Sequence, residues 1–244
     1  MQTPYGGIIM KQTLSILLLI MMLVGCSSNA NSEKNTENEN TVEAKQKKAS
    51  AQTDSKMNEY QPNSQVTDDR SLRKIDQTFA DDKGEAVLKD IKNINKTYDI
   101  GSIELTVREI KLVHLRPDYS MIDYFHVLTH DEEFDFVKVF VEIQNKSSEK
   151  VNFAPIALLK TNTGETFDWK KDIYLEELNG EMEGGATKSG NLGFIVNAAG
   201  GHGHNEQTNH KNEKDIKWIE MTTSDVFDKN HKKISDSQKI KIEF

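Results

Sequence analysis

Val137-Lys138-Val139-Phe140-Val141-Glu142-Ile143-Gln144-Asn145 is the stretch that decides the fold. Apolar side chains stand at 137, 139, 141 and 143, alternating with Lys138, Phe140 and Glu142. That is the period of a β-strand with one buried face. Asn145-Lys146-Ser147-Ser148 then reads as a turn. Upstream, Ile103, Leu105 and Val107 alternate in the same way, but the apolar positions shift to Ile110 and Leu112. A one-residue shift would turn the core face toward solvent unless a β-bulge absorbs it, most simply near Arg108-Glu109. Downstream, Val151 to Leu159 is a third apolar run, with Pro155 suggesting an edge or a bulge. Asn162 to Glu165 is a turn. Further short runs cover Thr166 to Trp169, Leu192 to Val196, Ile216 to Met221 and Ile240 to Phe244. About seven short strands separated by turn signals predict an all-β, two-sheet sandwich over residues 97–244.

Tyr98-Asp99-Ile100-Gly101, the long first strand, the strand ending in Asn145-Lys146-Ser147 and the later turn at Gly164 together resemble a known module. It is similar to the immunoglobulin-like domain of unknown function found in bacterial lipoproteins, akin to mycobacterial immunoprotective extracellular antigens. Such domains often carry a telomeric-repeat-binding-factor-like label. The resemblance implies a Greek-key sandwich and brings no catalytic residue with it. The antibody-type cysteine pair is lacking, so Phe140, Phe194 and Trp218 are expected to pack between the sheets.

Toward the N-terminus, Leu14 to Val24 is an eleven-residue apolar run interrupted only by Ser15. It is too short to span a bilayer and suits the apolar region of a signal peptide. It ends in Leu23-Val24-Gly25-Cys26, which resembles the lipobox of bacterial lipoproteins. The resemblance implies that residues 1–25 are a lipoprotein signal peptide and that Cys26 becomes the N-palmitoylated, S-diacylglycerol-modified first residue. Met10-Lys11 supplies the positive start a signal needs, so Met10 reads as the true start. The chain has one cysteine, so an internal disulfide is not available. Residues 26–96 are expected to be a disordered tether, since Ser, Asn, Glu, Lys and Gln dominate it. Within it, Leu88, Ile91 and Ile94 recur at spacing three, which suggests a short helix near 85–94.

Charge narrows the function. Residues 97–244 hold 18 basic and 26 acidic side chains, a net −8. A phosphate backbone needs a basic stripe, so nucleic acid is not an expected partner. The same sign opposes charge-driven adhesion to anionic lipid, which leaves the lipid anchor as the route to the membrane. No Gly-x-Ser-x-Gly elbow or other nucleophile frame is present, so the chain reads as a non-enzyme without cofactor. Gly200-Gly201-His202-Gly203-His204 with His210 is a candidate weak divalent-metal loop, although its spacing matches no structural zinc motif. His130-Asp131-Glu132-Glu133-Asp135 lacks the glycine and the alternation of a calcium loop and reads as a solvated turn. In the long connection from Pro117 to Thr129, Met121, Tyr124 and Phe125 are candidates for a partner surface, or for a short helix capping the sandwich. The expected protein is a non-catalytic binding module of unknown protein or envelope ligand, lipid-anchored on the extracytoplasmic face of the cell membrane. The alternative is a weak metal-binding lipoprotein using the loop from His202 to His210.

Overall fold

The computed structural model describes residues 61–197 and 215–244. In chain order its strands are β1 (Thr78–Asp81), β2 (Gly84–Ile100), β3 (Ile103–Pro117), β4 (Phe134–Asn145), β5 (Val151–Phe153), β6 (Leu158–Thr161) and β7 (Thr166–Asp168). After them come β8 (Gly180–Met182), β9 (Thr187–Val196), β10 (Trp218–Thr222), β11 (Val226–Asp228), β12 (Lys233–Ser235) and β13 (Lys239–Glu243). The fold is an all-β sandwich. One layer is a five-stranded antiparallel sheet in the order β1-β2-β3-β4-β9. The row Val137, Val139, Val141 and Ile143 in β4 faces the main core, as do Ile103, Leu105 and Val107 in β3. The bulge lies where the apolar shift placed it: Val107 pairs with Val141, and the next pair is Glu109 with Phe140, so Arg108 is the extra residue.

The opposite layer is a sheet creased across its middle. Its hydrogen-bonded halves are β13-β10-β6-β7 and β12-β11-β5-β8. The chain passes from β5 to β6 and from β10 to β11 at the same level. The two ribbons stay joined there by Ala157 N–H to Thr222 O at 2.8 Å and Ser224 N–H to Ala154 O at 2.9 Å. Pro155 sits at this crease, inside an interior ribbon rather than on an edge. It has no N–H to give the ladder, and the interruption removes the need for one. Both halves contribute to one core, with Phe153, Leu159, Ile219, Val226 and Ile240 meeting the β3, β4 and β9 side chains. Of the aromatic residues expected between the sheets, Phe194 is there, with Phe167 6.2 Å away. Phe140 is buried on the other face of β4. Trp218 lies outside the core under Lys241, whose Nζ is 4.6 Å from the ring centroid.

The expected helix near 85–94 is instead the first half of β2. The three-residue spacing of Leu88 and Ile91 arises from a register shift between Leu88 and Asp90 that adds one residue to the strand period. A second shift between Asn93 and Lys96 turns Ile94 toward the main core, while Leu88 and Ile91 face away from it. The tether reading is likewise corrected from residue 61 onward. Residues 61–76 form an irregular strap across the outer face of the five-stranded sheet. Val66 and Leu72 are buried there against Val113, Leu115, Phe134 and Phe136, making a second core. Lys111 and Lys138, on the outward rows of β3 and β4, are buried beneath it. The Asp69 carboxylate meets Lys111 Nζ at 2.8 Å and Lys138 Nζ at 2.6 Å, and Arg73 reaches Glu109 at 2.6 Å. Burial alone would raise the Asp69 pKa, but the two ammonium groups hold it well below the ordinary carboxylate value. Lys111 is lowered by burial and by Lys138, with Asp69 opposing. Composition cannot show this pairing, because Lys111 and Lys138 lie 42 and 69 residues from Asp69 in sequence.

Candidate functional site

Along the outer face of the sheet, the second core gives way to the ion cluster and then to a groove of about 820 Å³. One wall is the start of the strap, residues 61–64. The other is Leu175-Glu176-Glu177, and Glu142, Thr187 and Ser189 form the floor. The floor residues share a face because Glu142 pairs with Ser189 and Gln144 with Thr187 across β4 and β9. Asn63 ties the walls together: its Nδ2 donates to Tyr174 O at 2.8 Å and to Glu176 Oε1 at 3.2 Å, while its Oδ1 accepts from Gln65 and Val66 N–H.

The second wall also seals the free edge of β9. Ile173 N–H donates to Gly193 O at 2.9 Å, and Gly193 N–H donates to Asp172 Oδ1 at 2.8 Å. Asn191 N–H donates to Glu176 Oε2 at 2.8 Å. Two side-chain carboxylates thus stand where a neighbouring strand's carbonyls would be, which satisfies the edge without offering it to another chain. The approach needs glycine. A Cβ on Gly193 would lie 2.8 Å from Ile173 Cγ1 and from the Tyr174 ring, and one on Gly190 2.5 Å from Glu176 Oε2.

This wall is conformationally costly. Leu175 and Glu177 both adopt left-handed backbone, with φ of 53° and 52°. Such conformations cost about 1–3 kcal/mol each and cluster at ligand clamps and switch regions. Leu175 also presents an apolar side chain that is 60 % exposed. At the wall's root, burial pushes the Asp172 carboxyl up to about 6, against the N–H bonds from Gly193, Tyr174 and Leu175, with the nearby Glu176 charge adding to the rise. Beside it, burial and the Asp172 charge push the Tyr124 phenol up to about 12. Tyr124 Oη donates to Ile173 O at 2.7 Å, which links the connection after β3 to the wall.

The residues singled out by sequence fall elsewhere. Phe125 ends a single helical turn, α1 (Ile122–Phe125), and is 2 % exposed in the second core. It is therefore no partner surface; it is buried on the outer face of the five-stranded sheet rather than at an end of the sandwich. Met121 and Tyr124 are partly buried against the same core. The exposed apolar side chains of this connection are Tyr119 and Val127. In the acidic turn, Glu133 lies 3.2 Å from Arg116 Nε, and Asp135 lies 2.8 Å from His114 Nδ1. Among the described residues no group of three His, Cys, Asp or Glu could hold a metal ion. Cys26, His202, His204 and His210 lie outside the described residues, as does Met10. Sequence reasoning missed Asn63, Leu175 and Glu177. Nothing in Tyr174-Leu175-Glu176-Glu177-Leu178 marks a groove, because a left-handed non-glycine residue leaves no compositional trace.

The uncharacterized protein YdhF of Bacillus subtilis (strain 168) is 70% identical over 237 residues, covering 96% of this chain and 100% of YdhF. The chain belongs to the YdhF family. A more distant likeness, 25% identity over 170 residues, links it to the SPbeta prophage-derived uncharacterized lipoprotein YonS of the same organism, covering 69% of this chain and 71% of YonS. No protein-family model matches the chain. Among solved structures, a functionally unknown protein from Listeria monocytogenes EGD-e is similar with a TM-score of 0.40 and 12% identity, covering 66% of this chain and 88% of that one. A conserved hypothetical protein from Bacillus anthracis gives a TM-score of 0.29 and 16% identity, covering 44% and 81%. Among the described residues no helix is long and apolar enough to cross a membrane.

Proposed function

We propose that this member of the YdhF family is a lipid-anchored, extracytoplasmic binding protein whose sandwich docks its ligand in the groove between the strap and the Leu175–Glu177 wall. The observation that carries the reading is the wall itself: two non-glycine residues in left-handed backbone hold an exposed leucine over a polar floor. A fold retains such a conformation at a site more readily than on an idle surface. The volume falls within the range of small-ligand clefts. The role proposed is binding, with the polar floor and the exposed Leu175 as the surfaces a ligand would meet. Attachment follows from the lipobox ending at Cys26, and the lipoprotein YonS supports it at a distance. Two acyl chains on one cysteine suffice for stable anchoring.

Two measurements test the two halves. Labelling with a fatty-acid analogue is expected to mark the wild type and spare Cys26→Ala; equal label in both removes the anchor. A photo-crosslinking residue at 175 on live cells is expected to capture material that the same residue at exposed Ile234 does not. Equal capture at both positions removes the groove.

A further inference from the structure

Residues 61–75 belong to no strand. Among the described residues no backbone-to-backbone hydrogen bond joins them to the sheet. The first such bond, Asp76 N–H to Leu88 O at 2.8 Å, comes where the strap ends. The strap is held through side chains instead. Val66 and Leu72 fill the second core, Asn63 donates to Tyr174 O, Arg73 donates to Glu109, and Asp69 accepts from Lys111 and Lys138. A segment tied at a few side chains, without a ladder, lies at the low-stability end of a fold.

What the strap hides is polar. Lys111 and Lys138 are buried beneath it, and Thr67 Oγ1 is buried with no hydrogen-bond partner among the described residues. Water would satisfy all three groups once the strap lifted. A buried ion pair gains little over the same charges in water, because the desolvation cost offsets the attraction. Lifting therefore returns hydration to these charges, where an all-apolar cover would only lose contacts. The strap's end supplies a hinge: Asp76 adopts left-handed backbone with φ 64°, and a few residues at the end of an element suffice to swing a segment.

We infer that the strap is a hinged cover that lifts off the intact sandwich as a unit, baring Lys111 and Lys138 and carrying away the 61–64 wall of the groove. In chain order it stands between Cys26 and β1, so whatever holds Cys26 is joined to the sandwich through this cover. A ligand in the groove is then enclosed only while the strap is down. That consequence, unlike the lifting itself, rests on the groove being the docking site.

Pulsed acetylation of the full mature chain in detergent micelles, with Lys111 and Lys138 read by peptide mass, tests it beside amide exchange at Val139 and Val141 of β4. In the wild type both lysines are expected to label at a rate that low urea leaves unchanged, while the β4 amides stay protected. Ile219→Val trims the main core from the sheet opposite the strap. It is expected to speed β4 exchange about fivefold and to leave the lysine labelling unchanged. Asp69→Asn is expected to raise labelling of both lysines about tenfold or more. Labelling that tracks β4 exchange, in urea and in Ile219→Val, overturns the inference, since the strap then lifts only when the sandwich unfolds. Labelling that Asp69→Asn leaves unchanged overturns it too. Capture by the photo-crosslinking residue at 175 is expected to fall in Asp69→Asn; undiminished capture beside raised labelling overturns the link to the groove. Wild-type capture at 175 no greater than at 234 removes the groove reading alone, and the labelling still decides whether the strap lifts.

Discussion

Asp172→Asn is expected to stabilise the protein at neutral pH. The carboxyl is buried, its Oδ1 accepts from Gly193 and Tyr174 N–H, and no cation faces it among the causes that set its pKa. Burial lifts it from an ordinary 3.8 to about 6. The native state therefore holds this proton more tightly than the unfolded chain does, so stability falls as pH rises. The loss begins near the unfolded value of 3.8 and is complete above about 6. Two tenfold steps and a little more correspond to about 3 kcal/mol lost at pH 7.5 relative to pH 3. Asparagine keeps Oδ1 for the Gly193 and Tyr174 donors and removes the charge. It gives up the contribution of the Leu175 N–H, worth about 1 kcal/mol. The net gain is about 2 kcal/mol at pH 7.5, shrinking to zero or a small loss near pH 4. Urea unfolding followed by tryptophan fluorescence, at half-unit pH steps from 3.5 to 8 in a Cys26→Ala background, measures it. An Asp172→Asn protein less stable than its parent at pH 7.5 would falsify the reasoning, as would a wild-type profile that loses nothing between pH 4 and 7 beyond what the variant loses. A charge kept at such a cost under the groove wall is also what a functional position would show.

The ion cluster should behave in the opposite way. Asp69→Ala is expected to cost about 3–5 kcal/mol, because it leaves two buried ammonium groups without their carboxylate, and urea midpoints will report it. The depressed Asp69 pKa adds stability that is fully present above the ordinary carboxylate value and fades as pH falls below it; acid titration by circular dichroism should show less acid sensitivity in Asp69→Asn. Phe125→Ala should lose about 3–5 kcal/mol, whereas Tyr119→Ser, 88 % exposed, should change stability by less than about 0.5 kcal/mol in the same assay. Gly193→Ala forces a Cβ against Ile173 and Tyr174 and is expected to cost about 1–3 kcal/mol; faster amide exchange at Ile173 would locate the damage in the edge seal.

What the sequence determined by itself is what rests on neighbours along the chain. The alternation from Val137 to Ile143 makes a strand whichever sheet receives it. The shift from Val107 to Ile110 demanded a bulge, and the structure has it at Arg108. Turn chemistry at Asn162 to Glu165 bent the chain as its residues require, with Gly164 at φ 89°. Tertiary structure alone decided the rest. The outward row of β4, with Lys138 and Phe140, looks like a solvent face until the strap covers it. The strap looks like tether until Lys111 and Lys138 give Asp69 a buried partner. Bulges in β2 hid a strand under a three-residue spacing that mimics a helix. The groove needs residues 61–64, 142, 175–177 and 187–189 in one place. Periodicity reports which face of an element is apolar. It carries no information on what will lie across that face, because that choice is made by contacts between residues tens of positions apart.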